Sequence, residues 1–311
     1  METFRLTVAG CGSASPTLRH FGSCQLLNIR EKLFMIDCAE GMQVELRRWK
    51  CPFSKLDHIF ITHLHGDHCL GLVGLISSLG LLGRRSPLHL WGPTDLKTVF
   101  TPAIAFFCEH NNFPVVFHEV DTKKSTLLYE DRKVSIHSIP LYHRIDCCGY
   151  LFMEKPTPPH IRRDAIDAFG IPLSQINNIK AGADHVMPDG QVIANHLLTF
   201  PAEKPRSFAY CSDTIHDTRV AADILNITGE ENPLTLLYHE ATFTTADERT
   251  AVRTCHSTAA QAATTALDCH ARQLLIGHFS ARYINENILL DEARQIFPNT
   301  TLSHEGLTID L

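Results

Sequence analysis

The chain of 311 residues is 44% hydrophobic and 20% charged, which is the balance of an ordinary globular protein with material for a large core. The net charge of −6 argues against non-specific nucleic-acid binding by the whole surface, so a polyanionic partner would have to meet a local patch or bound metal ions. The longest apolar stretch, residues 69–83, is too short and too often interrupted by glycine and serine to span a bilayer, so no membrane partner is predicted.

Short strands and helices alternate over the first 140 residues. Apolar runs of β type predict strands at 4–9, 24–29, 33–37 and 58–62, and three more at 115–120, 125–130 and 133–138. Helical periodicity predicts helices at 41–50, 70–82 and 95–110. The pattern is that of an α/β protein.

The next segment differs in composition from the rest of the chain. Residues 156–190 carry five prolines and show only short helical patches, with Arg162, Arg163 and Lys180 between them. We therefore expect one domain over residues 1–311 with an inserted functional arm at about 155–188. A surface insertion without a role is the alternative, and the composition leaves it open.

Strand and helix alternation resumes after the arm. Strands are predicted at 206–211, 234–239 and 273–277, with helices near 216–226, 257–270 and 286–296. Two βα-rich halves around one core predict a four-layer αββα sandwich.

The chain contains eleven cysteines but no CxxC pair, and several of them lie in apolar, strand-like runs. This usage predicts reduced, buried thiols in a cytoplasmic protein. The adjacent Cys147 and Cys148 could be redox-active, but a packed pair is the simpler interpretation.

The segment Thr62-His63-Leu64-His65-Gly66-Asp67-His68 follows a predicted buried strand. If the strand continues, the side chains of His63 and His65 point to the same side. Gly66 would then let the chain turn, so that Asp67 and His68 face back across the gap. Nitrogen and oxygen ligands without a thiolate are typical of catalytic zinc or a similar divalent ion. A His-rich surface loop is the alternative, which the preceding apolar run disfavours.

Three later polar residues lie at equivalent places, just past the ends of predicted strands. They are His143, Asp213 and His278. Because α/β sheets collect ligands at the carboxyl ends of their strands, these residues would complete a dinuclear metal site.

The HLHGDH segment together with these three residues resembles the metallo-β-lactamase superfamily, whose fold is the αββα sandwich. Over nearly its whole length the chain further resembles the ribonuclease Z family, in its short form. Five more segments carry this resemblance: GCGSASP at 10–16, DCAEGMQ at 37–43, HEATF at 239–243, HST at 256–258 and GHFSARY at 277–283.

The resemblance implies two Zn²⁺ per subunit, for which Mn²⁺ or Co²⁺ could substitute. It implies three histidines on one metal, an aspartate and two histidines on the other, and a bridging aspartate. The first metal would take His63, His65 and His143, the second Asp67, His68 and His278, with Asp213 between them.

The resemblance also implies the reaction, which is removal of the 3′ trailer from precursor tRNA by a metal-activated hydroxide, leaving a 3′-hydroxyl on the tRNA. Asp67 would orient or deprotonate the nucleophile, and His256, oriented by Glu240, would protonate the leaving oxygen. Ser280 and Arg282 would hold the scissile phosphate, although Arg282 could instead serve only packing. A homodimer is implied, in which each arm reaches over the partner's site.

The chain departs from the family pattern at three places. Ala39 and Ser212 stand where the family usually has glycine, and we expect neither to touch a ligand. The arm keeps Gly170-Ile171-Pro172 but lacks a Gly-Pro tip, and residues 154–180 hold only four basic residues against three acidic ones. Binding of precursor tRNA through Arg162, Arg163 and Lys180 should therefore be modest and salt-sensitive.

Two other functions are weighed against this one. A small-molecule phosphodiesterase or other hydrolase could use the same dinuclear core, but the arm and the HST and GHFSARY segments count against it. A catalytically silent RNA-binding subunit is disfavoured because all seven ligands and the pair of Glu240 and His256 are present.

Overall fold

The computed structural model describes residues 3–15 and 17–311, so Pro16 of the GCGSASP segment lies outside the described residues. The chain divides into two compact units. The first is formed by the residues up to Met153 and by Arg206–Leu311, and the second by Glu154–Pro205. Among the described residues, no helix is long and apolar enough to cross a membrane.

The first half of the larger unit builds one sheet and the helices on its outer face. Its strands are β1 Phe4–Gly10, β2 Cys24–Ile29, β3 Lys32–Ile36, β4 Leu56–Phe60, β5 Leu88–Gly92 and β6 Val115–Glu119. Its helices are α1 Met42–Arg48, α2 Gly66–Cys69, α3 Leu72–Leu81 and α4 Asp95–Phe107. Strands β3 to β6 run parallel, so their carboxyl ends meet at one edge of the sheet.

The chain then forms β7 Leu127–Glu130, β8 Val134–Tyr142 and β9 Asp146–Glu154. In the second unit it forms β10 His160–Ile161, α5 Arg163–Phe169, α6 Ile176–Lys180, β11 His185–Val186, β12 Val192–Ile193, α7 Asn195–Leu198 and β13 Thr199–Phe200. The remainder contributes β14 Ser207–Cys211, α8 Thr218–Thr228, β15 Leu236–Glu240, α9 Glu248–Thr254, α10 Ala259–Asp268, β16 Leu274–Gly277, α11 Asn287–Arg294, β17 Thr300–Leu302 and β18 Thr308–Asp310.

Two seven-stranded sheets result. The first has the order β18-β1-β2-β3-β4-β5-β6 and the second β17-β16-β15-β14-β9-β8-β7. In the second sheet β14 to β17 run parallel, so the carboxyl ends of β14, β15 and β16 also meet at one edge.

The sheets face each other across a buried aromatic core. Phe152 of the second sheet lies 5.7 Å from the ring of Phe34 and 5.5 Å from that of Phe60, both of the first sheet. Ile59, which precedes Phe60, packs instead with residues of α1, α3 and α4 on the outer face, as the two-residue period of a strand requires. Residues of α8, α10 and α11 join the core from the second sheet. The predicted αββα sandwich is confirmed.

The second unit has a small core of its own, formed by Ala165, Ile171, Ile179, Ile193 and Leu198. Gly170 ends α5 in the left-handed region, at a φ of 58°. The predicted arm, at about 155–188, falls within this unit, which continues to Pro205.

One local prediction was wrong, and several elements were missed. Strand β4 ends at Phe60, so His63 and His65 lie in an irregular segment rather than in a strand. Gly66 begins α2 and lies outside the left-handed region. The helix predicted at 70–82 is confirmed as α3, which begins two residues later, and strands β5 and β9 are among the elements that were missed.

Gly71, the residue before α3, lies close to the segment that follows β3. A Cβ on Gly71 would lie 1.9 Å from the carbonyl oxygen of Ala39, so the close approach of the two segments requires glycine there. The methyl of Ala39 is in turn accommodated by a glycine, because a Cβ on Gly22 would lie 2.7 Å from it.

Candidate metal centre

The elements of the larger unit bring two groups of ligand atoms together at the carboxyl ends of the strands. His63, His65, His143 and Asp213 form one group, and Asp67, His68 and His278 form the other. Nε2 of His63 lies 3.0 Å from Nδ1 of His65, which lies 3.2 Å from Nε2 of His143. In the second group, Nε2 of His68 lies 3.3 Å from Nε2 of His278.

Asp213 lies between the two groups, and its two oxygens face different ones. Oδ2 is 3.6 Å from Nε2 of His63 and 3.8 Å from Nε2 of His143. Oδ1 is 3.4 Å from Nε2 of His68 and 3.1 Å from Nε2 of His278. A carboxylate placed in this way can ligate one cation with each oxygen.

Oδ2 of Asp67 completes the second group. It lies 3.5 Å from Nε2 of His68 and 3.6 Å from Nε2 of His278, and it accepts the backbone N–H of Ala14 over 2.6 Å. The GCGSASP segment therefore contributes to the site by fixing this carboxylate.

The opposite nitrogen of each of four ligand rings is held by the protein. Nδ1 of His143 donates to the carbonyl oxygen of Cys255 over 2.8 Å. Nδ1 of His68 lies 2.8 Å from Oδ2 of the buried Asp37, while Nδ1 of His63 and of His278 lie 3.0 Å from threonine hydroxyls. Partners of this kind leave Nε2 free for a cation, so the donor set fits a divalent metal such as zinc.

The protonation states of three ligand histidines agree with this arrangement. Burial lowers the pKa of His63, His65 and His143, so these rings are neutral near pH 7 and each offers a lone pair. Burial opposes ionisation of Asp213, but the charges of His278 and His68 hold the pKa of that carboxyl well below its usual range. Burial likewise opposes the charge on His68, and the carboxylates of Asp213 and Asp37 raise its pKa. A cation would neutralise the same negative charges.

Glu240 and His256 form a second feature beside the ligands. Nδ1 of His256 lies 2.9 Å from Oε1 of the fully buried Glu240, and Nε2 of His256 lies 4.0 Å from Oδ2 of Asp213. Burial works against the charge on His256, but Glu240 outweighs it and raises the pKa to about 9. His256 is therefore protonated near neutral pH, with Nε2 directed toward the ligand cluster.

An open cleft of about 760 Å³ gives access to this cluster. His65, Asp67, His143, His256 and His278 reach it, together with residues 12–15 and, among others, Phe21 and Arg144. A cleft of this size accommodates a nucleotide or a small ligand.

The predicted substrate-binding residues fall into two sets, one in each unit. Arg282 pairs with Asp247 over 3.0 Å and stacks on the ring of Phe243, and Ser280 is half-buried beyond His278; neither lines the cleft. In the second unit, Arg162 pairs with Asp164 and stacks on Phe200.

Arg163, also in the second unit, is exposed, while Lys180 is half-buried.

Ser212 was expected to touch no ligand, and this was wrong. Its hydroxyl donates to Oδ1 of Asp213 over 3.3 Å. Sequence reasoning also missed the partners of the ligands, which are Asp37, Thr62, Thr242 and the carbonyl of Cys255. The adjacency of Thr62 to His63 and the DCAEGMQ and HEATF segments were the available signals. Cys255 gave no such signal, because only its backbone carbonyl contacts His143.

Two residues that contribute side chains to the site adopt a left-handed backbone, as do Ala14 and Cys255, which contribute backbone groups. Asp37 has a φ of 58° and His278 a φ of 60°. Such conformations are costly for residues other than glycine and persist where the surroundings hold them, as the hydrogen bonds of both side chains do here.

The chain is similar to several known proteins. A family model described as anti-Pycsar protein Apyc1 matches residues 4–100. The ribonuclease Z of Bacteroides thetaiotaomicron is 52% identical over 311 residues, which are 100% of this chain and 96% of that protein. The ribonuclease Z of Phocaeicola vulgatus is 50% identical, over 100% of this chain and 98% of its own length. The crystal structure of the short form of human tRNase Z superposes with a TM-score of 0.69 at 24% identity, covering 98% of each chain.

Proposed function

The chain belongs to the ribonuclease Z family, and from this premise we propose that it is a metal-dependent endoribonuclease that removes the 3′ trailer from precursor tRNA. The observation that carries the proposal is the placement of Asp213. One carboxylate faces two groups of ligand atoms, and His256, held by the buried Glu240, lines the same cleft.

The proposed cofactor is a pair of Zn²⁺ ions per subunit. His63, His65 and His143 would hold one ion, Asp67, His68 and His278 the other, and Asp213 would bridge. Zinc suits these nitrogen and oxygen donors, and Mn²⁺ or Co²⁺ accept the same set. When bound, two divalent cations lower the pKa of an attacking water and neutralise charge on the phosphate oxygens.

The residues of the cleft supply the remaining chemistry. Asp67, fixed by the N–H of Ala14, orients the water that attacks phosphorus. As the bond from phosphorus to the 3′-oxygen breaks, Nε2 of His256 gives its proton to that oxygen, and Glu240 stabilises the imidazolium beforehand. The products are a tRNA with a 3′-hydroxyl and a trailer with a 5′-phosphate.

Substrate recognition is proposed to involve the arm within a single-domain protein of residues 1–311. Arg162, Arg163 and Lys180 would contact phosphates of the precursor tRNA, and Ser280 and Arg282 would support the scissile phosphate. We further propose a cytoplasmic homodimer in which each arm serves the partner's site.

One observation favours a second candidate, a small-molecule phosphodiesterase on the same core. Arg162 is neutralised by Asp164, and its guanidinium already stacks on Phe200, which reduces the charge that the arm can offer to RNA.

The two functions are separated by one experiment. The zinc-loaded protein is incubated with a 5′-labelled precursor tRNA carrying a 3′ trailer, and in parallel with bis(p-nitrophenyl) phosphate, each with a chelator control. A single chelator-sensitive tRNA product ending at the discriminator supports the endoribonuclease. An intact precursor beside a hydrolysed small phosphodiester supports the alternative.

Asp67→Ala is the matched variant for this experiment. It should leave the fold intact, because the side chain lies at the cleft, and lower cleavage by orders of magnitude. Near-normal turnover by a folded Asp67→Ala protein would remove Asp67 from the mechanism.

A further inference from the structure

Thr62 lies between a ligand histidine and a buried carboxylate. Its Oγ1 is 3.0 Å from Nδ1 of His63 and 3.0 Å from each oxygen of Asp37. Asp37 also accepts the backbone N–H of Thr62 over 2.8 Å, and both residues are fully buried. No solvent can therefore replace either contact of the hydroxyl.

Thr242 occupies the same relation to the other ligand group. Its Oγ1 is 2.6 Å from Oε2 of Glu240 and 3.0 Å from Nδ1 of His278. Glu240 is fully buried and Thr242 is 3% exposed. Thr62 lies just after β4 of the first sheet and Thr242 just after β15 of the second, so each ligand group has a threonine of its own.

The direction of these hydrogen bonds follows from counting protons. A hydroxyl has one hydrogen, and a carboxylate can only accept, so each threonine gives its hydrogen to the carboxylate. Its oxygen must then accept from the ring, which places the proton on Nδ1 of His63 and of His278. Thr62 also lies 3.5 Å from the hydroxyl of Ser212, and Thr242 lies 3.4 Å from Nδ1 of His256. Neither contact changes the count, because Ser212 donates its hydrogen to Asp213 and Nδ1 of His256 donates to Glu240.

We infer that Thr62 and Thr242 are positioning residues, each of which fixes the Nδ1-protonated tautomer of one ligand histidine in its own half of the site. Asp37 sets the state of His63 through Thr62, and Glu240 sets that of His278 through Thr242. Oε1 of Glu240 thereby holds His256, the proposed acid, while Oε2 acts on the metal ligand His278 through Thr242. The inference rests on the proposed metal site, but not on which phosphodiester is cleaved.

A structural role for the threonines, in which they only satisfy buried carboxylates, makes a different forecast. Each carboxylate has other donors: Asp37 has the N–H of Thr62 and His68, and Glu240 has the N–H groups of Thr214, Thr242 and Ser257. Loss of the hydroxyl would then lower stability alone. If each threonine fixes a tautomer, loss of its hydroxyl also changes the protonation of the histidine ring and weakens metal binding.

The test compares Thr62→Val and Thr242→Val with the wild type. Valine keeps the shape of threonine and removes the hydroxyl. Ring-nitrogen NMR of the ¹⁵N-labelled, metal-free protein at alkaline pH reads the tautomers directly. His143 is an internal reference, because its Nδ1 faces a carbonyl oxygen and must carry the proton. We expect the Nδ1–H form at His63 and His278 in the wild type, with loss of the fixed form at His63 in Thr62→Val and at His278 in Thr242→Val.

Metal affinity gives the second readout. In titrations of Co²⁺ and Zn²⁺ against a competing chelator, each valine variant should bind one of two ions about 10- to 100-fold more weakly, whereas serine at the same position should restore binding. Thr265→Val is the matched control, since Thr265 is 2% exposed and donates only to the carbonyl oxygen of Gln261.

Three outcomes would overturn the inference: an Nε2–H form at either ring of the wild type, wild-type affinity for both ions in both valine variants, or an equal loss in Thr265→Val. Failure of the wild type to cleave precursor tRNA would instead count against the proposed function, and would leave the tautomers and the affinity ratios as they are.

Discussion

The hydroxyl of Ser212 donates to Oδ1 of Asp213, the oxygen that faces His68 and His278. At 3.3 Å this is a long hydrogen bond to a charged group, for which about 1 kcal/mol is a reasonable contribution. We therefore expect Ser212→Gly to weaken the affinity of the site for zinc by roughly fivefold, measured by chelator competition. Ser212→Ala separates the hydroxyl from the added Cβ. Unchanged affinity in both variants would show that the hydroxyl does not support Asp213.

The pair of Glu240 and His256 predicts a pH dependence. An acid catalyst must be protonated, so the rate should fall as the pH rises through the pKa of His256, which Glu240 raises to about 9. Glu240→Gln removes the charge, so the alkaline limb of kcat should move to lower pH. The pH profile is measured with precursor tRNA, and the His256 titration is followed by NMR to confirm the shift. If the alkaline limb stays at the same pH in Glu240→Gln, a group other than His256 causes it.

For the element α3, alanine at Gly71 and at Gly74 should change the free energy of unfolding in opposite directions. A Cβ on Gly71 would collide with the carbonyl oxygen of Ala39, whereas one on Gly74, within α3, would meet only the flexible end of Gln43 at 3.0 Å. Gly71→Ala should lower the free energy of unfolding by about 1–3 kcal/mol. Gly74→Ala should be neutral or raise it by up to about 1 kcal/mol, because alanine favours the helix.

Denaturant unfolding of both variants measures these differences. Gly71→Ala with wild-type stability would show that α3 can shift away from the 37–41 segment at little cost.

The arm makes a prediction of its own. Alanine at Arg162, Arg163 and Lys180 together should raise KM for precursor tRNA and flatten its dependence on salt, because fewer counterions are released on binding. Hydrolysis of bis(p-nitrophenyl) phosphate should not change. A triple variant of Arg47, Arg48 and Lys50, which are the basic residues at the end of α1 and just beyond it, controls for general loss of positive charge. Equal effects of both triple variants would remove the special role of the arm.

The sequence predicted long elements and ligand types better than it predicted local geometry. β2 was predicted with its observed bounds because its apolar run directly follows Gly22-Ser23, so that propensity alone indicates the strand. β9 was missed because the polar start at Asp146 and the central Gly149 interrupt its pattern. That glycine is required by tertiary packing, since a Cβ there would lie 2.4 Å from the carbonyl oxygen of Tyr210.

The candidate site shows the same division. The types and order of the ligand residues are local features of the sequence, and the structure brings all seven together. Their supporting contacts join residues far apart in the chain, as Asp37 does with His68 and Ala14 with Asp67. The DCAEGMQ segment indicated a role for Asp37 but not its partner, because the residues that follow β1, β3 and β4 meet only when the first sheet has formed.

At the scale of the whole molecule, metal binding and folding should be coupled. The larger unit buries the carboxylates of Asp37, Asp213 and Glu240 close to its ligand histidines, which a bound cation would neutralise. Because the ligands come from both sheets, the unfolded chain cannot present this set, and zinc should bind the native state preferentially. Each site at a free-ion concentration a hundred times its Kd should add about 2.7 kcal/mol to the free energy of unfolding.

Thermal unfolding with chelator and with buffered free Zn²⁺ measures this coupling. The double variant His63→Ala and His278→Ala, which removes one ligand from each group, should lose most of the zinc-dependent rise in Tm while the variant without metal still unfolds cooperatively. A Tm that rises equally in the double variant would place the stabilising zinc outside the centre formed by these residues. If the Tm of the wild type does not change with zinc, the two sheets hold the ligand atoms in place without any contribution from the metal.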